Sequence, residues 1–388
     1  MKEKIQAYRP AAAAFLTMMA MSLTSSILSF FLEPICSALE ISRGSFSLVF
    51  SLMSVSGALM NPFIGQYAGK RGVRGILLVC GIWTGCCMFL LSMVSNLWML
   101  YLTGFAMGAL SSTCVALCAN VIVQQSYFGA QASGILGGVM AGSGVGGMIF
   151  SIVIPQCMAR FGWQTGLRVM GISWLVLLWL AAFLLGKQTM VHAGGNGAVG
   201  LGMTRAEALK SPKLYLQMLV IIIICACCGI QQQLPSLLRA YGLAEGTVSV
   251  MISVMTAFLA IGKVAQGILY GKLGIRKGGC LMMVVFAAGF LALLIPSLAW
   301  PGLLLLAFGL GIYTTLLPQV TRRVFGSREY AAIWALIATA GSAGTFFANP
   351  LWGTIYDLTG SYAIGLIGAA LLLAAAIWAM LQSLKGTD

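Results

Sequence analysis

The sequence predicts an all-α polytopic membrane protein with twelve transmembrane helices in two parallel six-helix repeats. Three observations predict this fold class: the composition, the number of long apolar runs, and a pattern that occurs once in each half of the chain. Of the 388 residues, 60% are hydrophobic and 8% are charged, whereas soluble domains are about 25% charged. A chain this apolar is suited to lipid, where helices satisfy the hydrogen bonds of their own backbone.

Twelve apolar runs are long enough to cross a bilayer. Each contains about 20 residues, as many as a helix needs to span a hydrocarbon core about 30 Å thick. The first run is longer than the apolar core of a signal peptide, so we interpret it as a span that is retained. Numbered in chain order, spans one to twelve cover residues 11–32, 46–68, 75–94, 97–123, 132–156, 168–186, 214–237, 246–270, 279–298, 302–320, 331–355 and 362–384.

The distribution of Lys and Arg predicts the orientation of the chain. If the N-terminus is cytoplasmic, 17 of the 22 Lys and Arg residues lie on the inner side, 4 lie on the outer side, and Lys263 lies within a span. Cytoplasmic loops carry the excess of Lys and Arg, so we expect both termini on the cytoplasmic side of the plasma membrane, in bacteria the cell inner membrane. The side with the 17 residues is called the basic side below. This bias accounts for the net charge of +14 without nucleic acid as a partner.

The longest polar segment, residues 187–213, divides the spans into two sets of six. We therefore expect an N-terminal six-helix bundle over 1–186, a cytoplasmic linker over 187–213, and a C-terminal six-helix bundle over 214–388. Within the linker, Thr204-Arg-Ala-Glu207 fits a helix capping box. This motif predicts a short helix that leads into span seven.

A pattern of glycine and basic residues follows both span two and span eight. The first copy covers residues 65–74 (GQYAGKRGVR) and the second covers residues 267–276 (GILYGKLGIR). Five positions are identical at a constant offset of 202. Since six spans separate the copies, the halves are expected to be parallel duplicates. Such duplicates are an architecture of secondary transporters, in which the substrate site lies near the bilayer midplane at the repeat interface.

The paired loops resemble the signature of the major facilitator superfamily. Further segments resemble its monocarboxylate porter and oxalate–formate antiporter branch: 42–44 (SRG), 127–129 (YFG), 142–147 (GSGVGG), 161–163 (FGW), 207–213 (EALKSPK) and 356–362 (YDLTGSY). The resemblance implies a transporter, not an enzyme, that moves a small organic anion by rocker-switch alternating access. Proton symport and anion exchange both stay open. The resemblance also implies a monomer in the lipid bilayer with a small-molecule substrate and no cofactor.

Lys263 is the leading candidate for the substrate site. It lies about 10 Å from the basic end of span eight at 1.5 Å per residue. A cation at that depth is costly and indicates a function. No acidic residue lies at that depth in any span, so we expect an anionic substrate as its partner, and the branch also carries a basic residue at this place. The alternative is that the side chain reaches the lipid interface and has a structural role.

Polar residues of other spans are candidates for lining the same site. Asn61 of span two corresponds to Lys263 in the repeat, and could donate to the substrate or to another helix near Pro62. Three consecutive glutamines, followed by Pro235, are expected to interrupt the outer half of span seven. The resemblance places spans one, four, seven and ten around the cavity, where the candidates are Ser22, Ser26, Ser112, Asn120, Gln232 and Tyr313. Hydrogen bonding between helices is the alternative for each.

Three further sets of residues have predicted roles. Glu33 at the outer end of span one is the candidate for proton coupling, with an exposed loop residue as the alternative. The superfamily pattern has an acid where this chain has Gly69 and Gly271. The expectation that such an acid holds the cytoplasmic gate closed is therefore weakened. The expected cytoplasmic gate and topology residues are Lys70, Arg74, Lys272 and Arg276. The expected helix-packing stripe on span five is Gly134, Gly138, Gly142 and Gly146.

No metal site is expected. The 11 cysteines lie mostly in apolar runs, and the single histidine, His192, lies in the linker. Zinc sites need clustered His and Cys at short spacings, and this chain has no such cluster. Two other functions remain as alternatives: efflux of amphipathic compounds within the same superfamily, and a membrane sensor or scaffold that does not transport.

Overall fold

Helices form nearly all of the computed structural model, which describes residues 2–41, 43–127, 129–186 and 202–386. The α-helices cover Lys2–Ser25, Leu32–Leu39, Arg43–Arg71, Arg74–Leu91, Leu97–Ala109, Ser112–Ser126, Gly129–Leu185, Arg205–Lys210, Pro212–Cys228, Ile230–Ala240, Glu245–Ala292, Ala299–Leu310, Ile312–Thr315, Leu317–Phe325, Tyr330–Thr359 and Ala363–Ser383. Two 3₁₀ helices cover Ile27–Phe31 and Pro296–Leu298. The predicted all-α fold is confirmed.

All twelve predicted spans lie on helices of the described chain. Eight apolar segments have the length of one span, if the bent pair in span seven is counted as one. Two others, Gln131–Leu185 with 55 residues and Val250–Ala292 with 43, are long enough for two spans each. Gly162 (φ 84°) and Gly274 (φ 76°) interrupt them with left-handed backbone that favours glycine. These two positions separate span five from six and span eight from nine.

Spans one, four, seven and ten are each broken near the middle. Span one becomes a 3₁₀ helix after Ser26, and span four is interrupted at Leu110. Span seven is interrupted at Gly229 with a bend of 49°, and span ten at Gly311. Broken helices are tolerated at membrane depth only where they are buried in protein or line a cavity. These four spans are the ones that the resemblance places around the cavity.

The chain divides into two compact units, which we describe separately. Unit one comprises Met1–Tyr127, Val139–Gly200 and Tyr330–Thr339. Unit two comprises Phe128–Gly138, Leu201–Glu329 and Ala340–Asp388. The start of span five thus belongs to unit two and the start of span eleven to unit one. The predicted division into bundles over 1–186 and 214–388 stays a prediction.

Equivalent glycines of the repeated pattern hold these two starting segments. In unit one, a Cβ built on Gly65 would overlap the Cβ of Ala335 on span eleven. In unit two, a Cβ built on Gly267 would lie 2.5 Å from the carbonyl oxygen of Ser133 and 2.9 Å from Cα of Gly137 on span five. A side chain does not fit at these distances, so glycine permits direct backbone contact. The repeated pattern therefore contains packing positions.

The expected glycine stripe on span five is found in part. Cβ atoms built on Gly142 and Gly146 would lie 2.7 and 2.6 Å from backbone oxygens of span one. Built on Gly134 and Gly138, they would meet nothing within 4 Å. The packing expectation for Gly134 and Gly138 is therefore wrong, because the neighbouring Gly137 faces the adjacent helix in their place.

The end of the linker forms the expected short helix, Arg205–Lys210. The Thr204 hydroxyl accepts a hydrogen bond from the Glu207 N–H (3.3 Å), and the Glu207 carboxylate accepts one from the Thr204 N–H (2.7 Å), which is a complete capping box. Glu329 also accepts a hydrogen bond from the Arg205 N–H at 2.7 Å. Residues 187–201, with His192, lie outside the described residues.

Candidate functional site

Lys263 is half-buried on span eight and lies beside the break in span ten. A Cβ built on Gly311 would lie 2.8 Å from Cγ of Lys263, so the glycine leaves room for the aliphatic part of the lysine. The carbonyl oxygen of Lys263 lies against span five, 2.6 Å from a Cβ built on Gly137. The backbones of spans five and ten therefore both lie against span eight at Lys263.

Two further side chains reach the same break. Cys228 ends the first part of span seven, and its thiol donates to the carbonyl oxygen of Leu310 at 3.9 Å. This thiol is within electrostatic range of both the Lys263 ammonium and the Tyr313 phenol. Cys228 and Tyr313 are half-buried, like Lys263. The three residues form a cluster that we call the Lys263 cluster. Its ammonium and its phenol can donate hydrogen bonds to an anion, whereas the single proton of the thiol is already donated to Leu310.

A chain of buried polar side chains borders the Lys263 cluster. Gln266 donates through Nε2 to the Phe308 carbonyl oxygen and accepts from the Thr315 hydroxyl. Gln319 donates to the carbonyl oxygen of Thr315 at 2.6 Å and accepts from the Ser133 hydroxyl. These side chains connect spans eight, ten and five within unit two, and we call them the polar chain.

A family model described as the Major Facilitator Superfamily matches residues 11–348. The chain belongs to the Major Facilitator Superfamily. It is therefore a multi-pass membrane transporter built on the twelve-helix fold of that superfamily.

Relatives within the superfamily are distant in sequence. The chain is 22% identical to the sialic acid transporter NanX of Escherichia coli (strain K12), over 88% of this chain and 83% of NanX. It is 21% identical to the nitrite extrusion protein of Bacillus subtilis (strain 168), over 87% of this chain and 85% of that protein. The crystal structure of the E. coli fucose:proton symporter FucP matches with a TM-score of 0.76 at 13% identity, over 97% of this chain and 98% of FucP. The last likeness shows the superfamily fold alone.

Unit one of this superfamily member holds several predicted lining residues, with different surroundings. Asn61 and Asn120 are 1% and 2% exposed, and the carbonyl oxygen of each side chain has no hydrogen-bond partner among the described residues. Ser22 is buried and donates to the Met19 carbonyl oxygen of its own helix at 2.7 Å, so its hydroxyl is satisfied locally. Ser26 is exposed at the break in span one.

Other predicted site residues of this superfamily member are exposed or outside the description. The basic-side residues Lys70, Lys272 and Arg276 are exposed and Arg74 is half-buried, and their role as a gate stays a prediction. The side chains of Glu33, Ser112 and Gln232 lie outside the part that the structure describes. Among the described residues, no group of three or more His, Cys, Asp or Glu could hold a metal ion.

The sequence points to Lys263 and Tyr313 but not to their neighbours. Nothing in the sequence distinguishes Cys228 from a packing residue, and no pattern points to Gln266, Thr315 or Gln319. A charge within a span stands out in a sequence, whereas uncharged residues of a span are typical of helix packing. The interruption of span seven occurs at Gly229, ahead of the glutamine run that predicted it.

Proposed function

We propose that this chain is a secondary active transporter of a small organic anion, a monocarboxylate or a similar compound, and that Lys263 binds the anionic group. The observation that carries the proposal is the position of Lys263. It is half-buried in an apolar span, beside a broken helix and in one cluster with the Tyr313 phenol, a further hydrogen-bond donor. Cations within spans are rare and are retained for function, and a positive charge selects a negative substrate.

The two relatives found by sequence support an anionic substrate. One is named for sialic acid and the other for nitrite, and both compounds are anions at neutral pH. Neither name identifies the substrate of this chain, and the monocarboxylate branch rests on the motif resemblance. Their common property is a single negative charge, which one lysine can neutralise.

The transport cycle that fits this proposal is rocker-switch alternating access of two six-helix halves in the plasma membrane, with both termini cytoplasmic and the chain monomeric. Proton symport and anion exchange are both compatible with it. Glu33 is the candidate proton carrier for symport. Exchange needs no protein acid, because the return of a second anion resets the site.

Counterflow in proteoliposomes tests the proposal. Vesicles that contain the purified protein are preloaded with unlabelled pyruvate, oxalate, N-acetylneuraminate or nitrite, and uptake of the same labelled anion is followed. We expect at least one anion to drive uptake and Lys263→Gln to abolish it. Lys277→Gln is the matched control, because Lys277 is an exposed lysine on the basic side, 14 residues after Lys263 in the sequence.

Two results would count against the proposal. If Lys263→Gln transports at the wild-type rate, Lys263 does not bind the anion. If the wild type moves none of the four anions, the substrate belongs to another class. Uptake or extrusion of amphipathic cations by the same vesicles would then favour the efflux function.

A further inference from the structure

We propose that Thr315 and Gln266 position Lys263, and that the hydrogen bond between them sets the affinity of the site for its anion. This inference rests on the proposed function and assigns a role to two residues that do not themselves bind the substrate. Gln266 lies one turn after Lys263 on span eight, and Thr315 lies one turn after Gly311 on span ten. The contact between Lys263 and Gly311 defines the site.

The first step is the link between the two residues and Lys263. Gln266 is fully buried, three residues after Lys263 on the same helix. The Thr315 hydroxyl lies within hydrogen-bond distance of the Gln266 side-chain oxygen and, at 3.1 Å, of the Gly311 carbonyl oxygen. This hydroxyl therefore fixes the break of span ten against span eight at the residue that borders the lysine.

The second step is that the polar chain also restrains Lys263 from the other side. Gln319 ties the Thr315 carbonyl to the Ser133 hydroxyl on span five. One turn further along span five, Gly137 lies against the carbonyl oxygen of Lys263. Spans five, eight and ten are thus connected by side-chain hydrogen bonds within unit two.

The third step separates this role from packing alone. The repeat offset of 202 places Ile64 at the position of Gln266 and Asn61 at the position of Lys263. Ile64 is 5% exposed, so the equivalent place in the other half is filled by a buried apolar side chain. The duplicated fold packs without an amide there. A buried amide that donates one hydrogen bond and accepts another accompanies the half that carries the lysine.

The physical reason is preorganisation. A lysine has four side-chain torsions, and holding its ammonium at one place costs conformational entropy. A rigid backbone at Gly311 restricts the aliphatic part of Lys263 before the anion arrives. The side chain therefore loses less conformational entropy when the anion binds. Hydrogen-bonded networks of buried polar side chains make the backbone around them rigid.

The test compares three variants by counterflow of pyruvate, oxalate, N-acetylneuraminate and nitrite, with each KM measured for every anion that the wild type moves. Thr315→Val removes the hydroxyl and keeps the shape. Thr315→Ser keeps the hydroxyl. Thr314→Val is the matched control, because the Thr314 hydroxyl bonds the same Gly311 carbonyl oxygen at 2.9 Å and has no bond to Gln266.

We expect Thr315→Val to raise KM about two- to tenfold, the factor that corresponds to the loss of one hydrogen bond. The maximal rate should change little, and Thr315→Ser and Thr314→Val should keep the wild-type KM. A purely structural role would lower the melting temperature of Thr315→Val in detergent and leave KM unchanged.

The inference is overturned if Thr315→Val has the wild-type KM while Lys263→Gln is inactive, or if Thr314→Val raises KM as much as Thr315→Val. A different pattern marks failure of the proposed function. In that case the wild type moves none of the four anions, or Lys263→Gln transports normally, and the inference falls with it.

Discussion

Gly137 and Gly138 are neighbours on span five, and alanine is expected to have different effects at the two positions. A Cβ on Gly137 would lie 2.6 Å from the Lys263 carbonyl oxygen and 3.0 Å from Cα of Gly267. A Cβ on Gly138 would meet nothing within 4 Å. Both atoms near Gly137 belong to the backbone, so they cannot rotate away as a side chain could. Span five or span eight would have to move.

The comparison isolates the steric cost. Alanine is favoured over glycine in a helix interior by about 1 kcal/mol, and this gain applies to both positions, so it cancels in the difference. Overpacking of a close contact costs about 1–3 kcal/mol. We therefore expect Gly137→Ala to be less stable than Gly138→Ala by about 1–3 kcal/mol, and Gly138→Ala to match or exceed the wild type.

Unfolding in mixed micelles, with the denaturing detergent titrated and tryptophan fluorescence recorded, measures this difference in free energy of unfolding. Wild type and both variants are compared in one lipid and detergent mixture. Equal stability of the two variants would refute the reasoning, because it would mean that Gly137 is not in backbone contact with span eight. The opposite order would place the close contact at Gly138.

Two further predictions concern the linker and unit one. The pKa of Glu207 is lowered by the hydrogen bond from the backbone N–H of Thr204 and by the Thr204 side chain. The ionised carboxylate therefore stabilises the cap at pH above the ordinary pKa of glutamate. This stabilisation is lost as the pH falls through the lowered pKa. Amide exchange at Thr204, corrected for intrinsic rates, should accelerate in acid in the wild type but not in Glu207→Gln, and equal acceleration in both would contradict this. Asn61→Leu should change the free energy of unfolding by less than about 1 kcal/mol, since the lost carbonyl oxygen is buried without a partner among the described residues. A larger loss in the same micelle assay would mean that Asn61 holds helices together.

The number of spans could be predicted because it depends on local composition. Runs of about 20 apolar residues form helices wherever they lie in a membrane, and the structure has helices at all twelve runs. The breaks in spans one and four could not be predicted. Ser26 and Leu110 are neither glycine nor proline, so tertiary contacts must decide where these helices end.

The site was predictable only for its charged member. Lys263 is visible in the sequence because a charge within a span is rare. The polar chain is not visible, because Ser133 and Gln319 are 186 residues apart and each alone is typical of helix packing. The same holds for Cys228. Such residues acquire meaning from their neighbours in space.

The two halves differ where a directional function needs them to differ. The equivalent glycines Gly65 and Gly267 make the same kind of backbone contact in both units, so packing follows the repeat. The chemistry does not, because Lys263 and Gln266 correspond to Asn61 and Ile64. The duplication supplies two similar sets of helices, and in the proposed function the cation in one set supplies the charge selectivity. Exchanging Asn61 and Lys263 should therefore place the cation at the equivalent position of span two, where Ile64 stands in place of the supporting amide of Gln266.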